Sequence, residues 1–348
     1  MALKKRTLQL ALILALCLAG ACSVQLQPGA TLPFSPLITP AASAPTVYDN
    51  PVYGFDFPDP YVLRVGEQYY AFSTNVGDVH IPTLHAPNLT DWTFVGDALP
   101  QLPTWAEQTT GLTWAPGVLQ RGDSYVLYYV TRDRASNRQC ISLATSTEPA
   151  GPYLDHSATP FVCQTALGGS IDPYPFVDQD GMAYLLWKND GNCCGLPVGL
   201  WIQALSDDGL SLQGEPTELI ERDLLWELPL IENPALWEHE GAYYLFYSAN
   251  WWESRYYAVG YAVCETITGP CVKPLTVPLF KMTASVLGPG GEALFTDTEG
   301  NLWMVYHAWT APYTAYPAGA RRMYIDPVTF VDDQPVIRGP THEPQPLP

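Results

Sequence analysis

Three carboxylates stand at matching points of an internally repeated sequence. Asp59 opens the run Asp59-Pro60-Tyr61-Val62-Leu63, and Asp172 opens Asp172-Pro173-Tyr174-Pro175-Phe176. Glu232 directly precedes a third such run, Asn233-Pro234-Ala235-Leu236-Trp237. Like charges at short range resist ionising together. Acids that converge therefore either surround a cation or form a pair whose proton affinities have been pushed apart. Cleavage of a glycosidic bond calls for such a pair, one acid to protonate the leaving oxygen and one base to activate water. Trp114, beside Ala115-Pro116 in another copy, adds an aromatic face on which a sugar ring could stack.

The repeat also predicts the elements that must hold these residues. Its prolines fall at 60, 116, 173 and 234, giving steps of 56, 57 and 61 residues. A fifth copy, opening Gly291-Glu292-Ala293-Leu294-Phe295, lacks the proline. Each copy reads as a short strand, a Gly-containing polar turn and a second strand rich in Tyr, Leu, Phe and Val, which is a β-hairpin. The step leaves room for two further strands. Five repeats of a four-stranded sheet around an axis make a five-bladed β-propeller, an all-β fold with antiparallel blades around a central channel. The first strand of each blade lines that channel, so Asp59, Asp172 and Glu232 should meet at its mouth.

Composition agrees with this architecture. The 348 residues include 34 Pro and 27 Gly, which disfavour long helices, and 11 Trp and 21 Tyr. Sixteen Lys and Arg against 35 Asp and Glu give a formal charge of -19, which excludes binding to a phosphate backbone. Residues 1–22 read as an export signal: Lys4, Lys5 and Arg6, an apolar run from Leu8 to Leu18, then Ala19-Gly20-Ala21-Cys22. The last four look like a bacterial lipobox, so Cys22 would carry lipid and tether the protein to the outer face of a membrane. Residues 23–48 form a Pro/Ala/Thr-rich linker, 49–340 the propeller and 341–348 a tail. Six further cysteines in an exported chain favour disulfides. Cys264 with Cys271 is the firmest pair and Cys140 with Cys163 the next, while Cys193 and Cys194 are left unassigned. No zinc-type spacing occurs, and Asn88-Leu89-Thr90 is a chance sequon.

The chain resembles glycoside hydrolase family 43 over about residues 49–340. The resemblance rests on Phe57-Pro58-Asp59-Pro60, Ser170-Ile171-Asp172-Pro173, Ile231-Glu232-Asn233-Pro234, Val305-Tyr306-His307-Ala308-Trp309 and Arg321-Arg322-Met323-Tyr324-Ile325-Asp326-Pro327. It implies a five-bladed propeller that hydrolyses α-L-arabinofuranosides or β-D-xylosides with inversion, without a required cofactor. Asp59 would be the base, Glu232 the acid, and Asp172 the residue that orients the acid and raises its pKa. Inversion leaves room for water between base and acid, a separation of roughly 6.5–9.5 Å. Arg321 or Arg322 would bond a sugar hydroxyl or a catalytic carboxylate. His307 is similar to a histidine that holds a hydrated calcium ion near the channel. Gly288-Pro289-Gly290-Gly291-Glu292 departs from the family, which often places a histidine after the second glycine. Glu227 is a weaker candidate for the acid. Thr131-Arg132-Asp133-Arg134 is similar to a motif of fructan-cleaving propellers whose other features are missing. The expected substrate is arabinan or arabinoxylan, attacked at terminal or internal α-L-arabinofuranosyl linkages. A β-xylosidase of the same fold and a surface lipoprotein that only binds glycans are the alternatives.

Overall fold

The computed structural model describes residues 47–347; the signal, the lipobox cysteine and nearly all of the linker lie outside them. The described residues are all-β, with three short 3₁₀ turns and no α-helix. Each blade is cut from one contiguous stretch of chain, as the repeat predicts. After a short strand β1 (Val47–Tyr48), blade one holds β2 (Tyr61–Val65), β3 (Gln68–Phe72), β4 (Pro82–Ala86) and β5 (Thr93–Asp97). Blade two holds β6 (Trp114–Arg121), β7 (Ser124–Asp133) and β8 (Arg138–Ser146). Blade three holds β9 (Ser170–Val177), β10 (Ala183–Asn189), β11 (Gly199–Leu205) and β12 (Leu212–Glu221). Blade four holds β13 (Ile231–His239), β14 (Ala242–Ala249), β15 (Ala258–Cys264) and β16 (Cys271–Val272). Blade five holds β17 (Val286–Thr296), β18 (Leu302–Thr310), β19 (Arg321–Val331) and β20 (Gln334–Ile337). In blade two the outermost place is taken by isolated bridges, Thr145 with Leu154 and Ile141 with Val162.

The inner strands share one local device. Asp59, Ala115, Asp172, Asn233 and Gly291 all have positive φ, at 49°, 40°, 57°, 55° and 62°. In blades two to five the ladder with the second strand also gains an extra residue there. Ile171 and Tyr174 face Lys188 and Leu186, for example, so three steps on β9 oppose two on β10. The same offset recurs after Trp114, Glu232 and Gly290. A bulge re-aims the side chains beside it, and those of blades two to five, with the positive-φ Asp59 of blade one, point equivalent positions at one axis. Where the inner strands meet, the void is only about 10 Å³, room for about one water.

Between blades the core is apolar and aromatic. Trp187, Trp303 and Trp309 are fully buried, and their indole N–H groups donate to Gln164, Asp297 and the Trp252 carbonyl respectively. All three buried indoles thus avoid the penalty of an unpaired donor. The disulfides Cys140–Cys163 and Cys264–Cys271 form as expected, and Cys193 bonds to its neighbour Cys194.

The ring is closed by the two ends of the described chain. β1 pairs with β21 (Gln345–Pro346), which lies in the stretch read as a tail. Asn50 exchanges two hydrogen bonds with the Ile325 backbone, at 2.8 and 3.0 Å. Tyr48 and Tyr306 both donate to Asp326, at 3.1 and 2.6 Å. Burial pushes Asp326 up to about 7, against the two phenols, which favour its charged form. The folded state therefore keeps a proton that an ordinary carboxylate would release. Its stabilising effect is present below the usual carboxylate range and is lost as pH rises through about 7. Asp326→Asn should flatten the dependence of the urea midpoint on pH between about 4 and 7; an unchanged slope would show that Asp326 is not the group responsible.

Candidate active site

A cleft of about 660 Å³ opens at the channel mouth, with Asp59, Asp172 and Glu232 all in its lining. The three acids that the repeat aligned are thus brought together. Their surroundings set them apart.

Asp59 lies in the turn before β2. Its carboxylate accepts from Thr74 Oγ1 at 2.6 Å and from Arg321 Nη1 at 3.3 and 3.4 Å. His307 Nδ1 lies 3.1 Å from the Asp59 N–H and 3.2 Å from Asp59 Oδ1. Burial alone would raise the Asp59 pKa. The Arg321 guanidinium, with His307 and Thr74, outweighs it and holds the carboxyl well below the usual range. Asp59 is ionised whenever the protein is folded near neutral pH.

Glu232, on β13, accepts from the Tyr257 hydroxyl at 2.9 Å and from Lys188 Nζ at 3.1 Å. Lys188 is fully buried at the end of β10, 4.0 Å from Asp190 as well. Asp172, on β9, accepts from the Asn233 N–H at 3.0 Å and so grips the backbone beside Glu232. Burial, then the neighbouring Glu232, raise the Asp172 pKa well above the carboxylate range, with Lys188 pulling the other way. Asp190 is raised as well, by burial first. One ammonium thus serves three carboxylates, and the cluster retains a proton at a pH where Asp59 has lost its own.

Trp114 lines the cleft, its indole N–H bonded to the Gly111 carbonyl at 3.1 Å. Of the two arginines the sequence left open, Arg321 enters the site, packed over the Trp252 ring at 4.5 Å. Arg322 points to the opposite face of β19 and donates to Thr310 Oγ1. His307 is fully buried on β18, its ring stacked on Tyr257, and its Nε2 has no hydrogen-bond partner. A Cβ on Gly291 would lie 2.4 Å from that imidazole and 2.7 Å from Asp59 Oδ1, so only glycine lets the blade-five turn pass. Glu227 is elsewhere. It is buried, receives Tyr247, Lys273 and the backbone N–H groups of Asp223 and Leu224, and is spent on structure.

The comparisons with known proteins are consistent over the whole domain. The model of "Glycosyl hydrolases family 43" matches residues 48–335. The chain belongs to this family. It is a glycosyl hydrolase, and inversion at the anomeric carbon is typical of the family. A thermostable family-43 glycoside hydrolase of known structure superposes with a TM-score of 0.75 at 32% identity, covering 86% of this chain and 98% of that one. An extracellular exo-α-(1→5)-L-arabinofuranosidase of Cellvibrio japonicus is 27% identical over 74% of this chain and 80% of its own length. A putative β-xylosidase of Xylanibacter ruminicola is 24% identical over 80% of this chain, which spans only 49% of that protein.

Sequence reasoning missed Lys188, Tyr257, Thr74 and Trp252. Lys188 left a signal, a lone cation closing the apolar run Tyr184-Leu185-Leu186-Trp187 of an inner hairpin. The others are residue types too common in strands and turns to stand out.

If Arg321 keeps Asp59 ionised, its removal must raise the Asp59 pKa. Arg321→Ala should move the acidic limb of the kcat/KM profile to higher pH by about one unit or more. A limb that stays in place while activity falls would reduce Arg321 to a sugar contact.

Proposed function

We propose that this glycosyl hydrolase cleaves α-L-arabinofuranosyl linkages of arabinan or arabinoxylan with inversion, outside the cell. The observation that carries the reading is the asymmetry of the acids. Asp59 is held ionised by Arg321, whereas Glu232 sits in a proton-retaining cluster around Lys188. In the proposed reaction Asp59 takes a proton from water as the water oxygen bonds to the anomeric carbon. Glu232 gives its proton to the glycosidic oxygen as the old carbon–oxygen bond breaks. The leaving sugar departs neutral, and the two carboxyl groups exchange protons with solvent before the next turn. Asp172 orients Glu232 through the Asn233 N–H. Trp114 stacks on the sugar, and Arg321 can reach a hydroxyl as well as Asp59.

The arabinofuranosidase relative supports arabinose as the sugar and an exported protein; lipid attachment at Cys22 remains part of the proposal. The putative β-xylosidase supports a second reading, in which the same residues act on β-D-xylosides.

The measurement is sugar release from debranched 1,5-linked arabinan, with xylan in parallel. Glu232→Gln and Asp59→Asn should each lower turnover by about 10²–10⁴-fold. Proton NMR of the first-formed sugar should show the inverted anomer. Retention would remove Asp59 from the water-activating role, and release from xylan alone would select the second reading.

A calcium ion, where one binds, would be held at His307. Nε2 is buried without a partner, and it offers a lone pair only in the tautomer that places the proton on Nδ1, toward Asp59 Oδ1, instead of the one in which Nδ1 accepts the Asp59 N–H. Among the described residues His307 joins no cluster of three or more ligating side chains, so most of the ligands would be water. The ion would add positive charge beside Asp59. Chelation should then lower the unfolding temperature and added calcium restore it; no change in either step would make His307 a packing residue.

A further inference from the structure

Cys193 and Cys194 form a disulfide between adjacent residues, in the 3₁₀ turn Gly191–Cys194 that follows β10. A bridge between neighbours closes too short a loop to restrain the unfolded chain, so the usual stabilising effect of a cross-link is missing. Cys140–Cys163, by contrast, closes a span of 23 residues. The use of the adjacent bridge has to be local. Cys193 is exposed and lines the cleft, on the same turn as Asp190 and just beyond Lys188, whose ammonium holds Glu232. The turn is fixed from behind. The Asn189 amide donates to the Leu167 and Pro197 carbonyls at 3.1 and 2.9 Å and accepts the Gly199 N–H at 2.8 Å. Arg138 Nη1 reaches Cys193 Sγ at 3.7 Å.

A second observation faces the same part of the cleft. Gln139, only 4% exposed, lines the cleft and donates through Nε2 to the Leu112 carbonyl at 3.3 Å, but its Oε1 has no partner. Arg132, on the adjoining strand, lines the cleft with an unpartnered Nε. This wall touches the disulfide turn through Gly169, whose carbonyl accepts the Asp190 N–H at 3.1 Å. A Cβ at Gly169 would come within 2.3 Å of the Gln139 carbonyl. A buried acceptor and donor left unpaired are unfavourable until something polar arrives. The sulfur pair beside them is soft, polarisable and apolar. A sugar ring matches both, with one C–H face and an edge of hydroxyls.

We propose that the Cys193–Cys194 disulfide, together with Gln139 and Arg132, is the binding surface for the sugar on the leaving side of the scissile bond. The side follows from chemistry, and it rests on the hydrolase reading above. Glu232 protonates the leaving oxygen, so the departing sugar lies toward Glu232, Lys188 and the turn that follows them. The disulfide meets its C–H face, while Gln139 Oε1 accepts from a hydroxyl and Arg132 Nε donates to one.

The test compares native protein with Cys193→Ala/Cys194→Ala and with Gln139→Ala. The substrates are a trisaccharide, arabinotriose or xylotriose as the native protein prefers, and the corresponding methyl glycoside, which has no leaving sugar. The kcat/KM ratio of trisaccharide to methyl glycoside should fall roughly five- to ten-fold in each variant, mainly through KM, as expected for one lost apolar contact or one neutral hydrogen bond. An unchanged ratio in both variants overturns the proposal. So does an equal loss on both substrates, which would mean that the turn only positions Lys188 and Glu232. Free thiols at Cys193 and Cys194 in the native protein, detected by alkylation and mass spectrometry, would also overturn it. If native protein cleaves neither substrate class, it is the hydrolase reading beneath the proposal that has failed.

Discussion

The structure depends on one backbone constraint, a left-handed residue at the equivalent point of the inner segment of every blade. Five chain segments turn around a void of about 10 Å³, each through a residue of positive φ and four of them with a bulge as well. Such φ values favour Gly, Asn and Asp, because a short polar side chain or none relieves the clash. Four of the five positions obey: Asp59, Asp172, Asn233 and Gly291. Ala115 does not, and its N–H is tied down by Thr74 Oγ1 at 2.8 Å, the same hydroxyl that donates to Asp59. The conformational preference and the chemistry therefore select the same residues. An aspartate here suits the turn, and the turn aims its carboxylate at the cleft.

Convergence has an electrostatic cost that explains the two buried cations. Asp59, Asp172 and Glu232 cannot all ionise in a half-closed cleft without compensation. Arg321 comes from β19 to Asp59, and Lys188 from β10 to Glu232 and its neighbours. Each cation is itself buried and would be unfavourable alone. Placing them at separate acids, instead of one shared centre, is what divides the site into an ionised side and a proton-retaining side. In a chain of charge -19 this needs only two of the 16 basic residues.

The blades were legible because strand alternation, turn glycines and the Asp/Asn/Ala-Pro step all recur at nearly constant spacing. Glu232 was harder, since the aligned residue of its blade is Asn233 and the acid stands one position earlier. The family motif resolved what the repeat left ambiguous. The pair Arg321 and Arg322 shows a limit of another kind. Alternation requires one to face the cleft and the other to face away, yet it does not say which. Tyr257, Thr74 and Trp252 were hidden because their roles come from contacts that loop residues make within one blade or with a neighbouring blade, and no sequence spacing encodes those. Blade two's outer edge was also hidden, because isolated bridges leave no periodic pattern to read.

This division between inner strands and loops bears on specificity. The acids, the left-handed turns and Arg321 sit where the fold itself fixes them, so in the proposed reaction they would serve arabinosyl and xylosyl bonds alike. An arabinofuranosidase and a putative β-xylosidase are both similar to most of this chain. What tells sugars apart has to lie in segments the ring does not constrain. In this chain those are the Gly191–Cys194 turn and the Trp251-Trp252 loop, both of which line the cleft without touching Asp59 or Glu232 by hydrogen bond. The reaction is therefore readable from the blade starts, and the substrate must be sought in the loops between them.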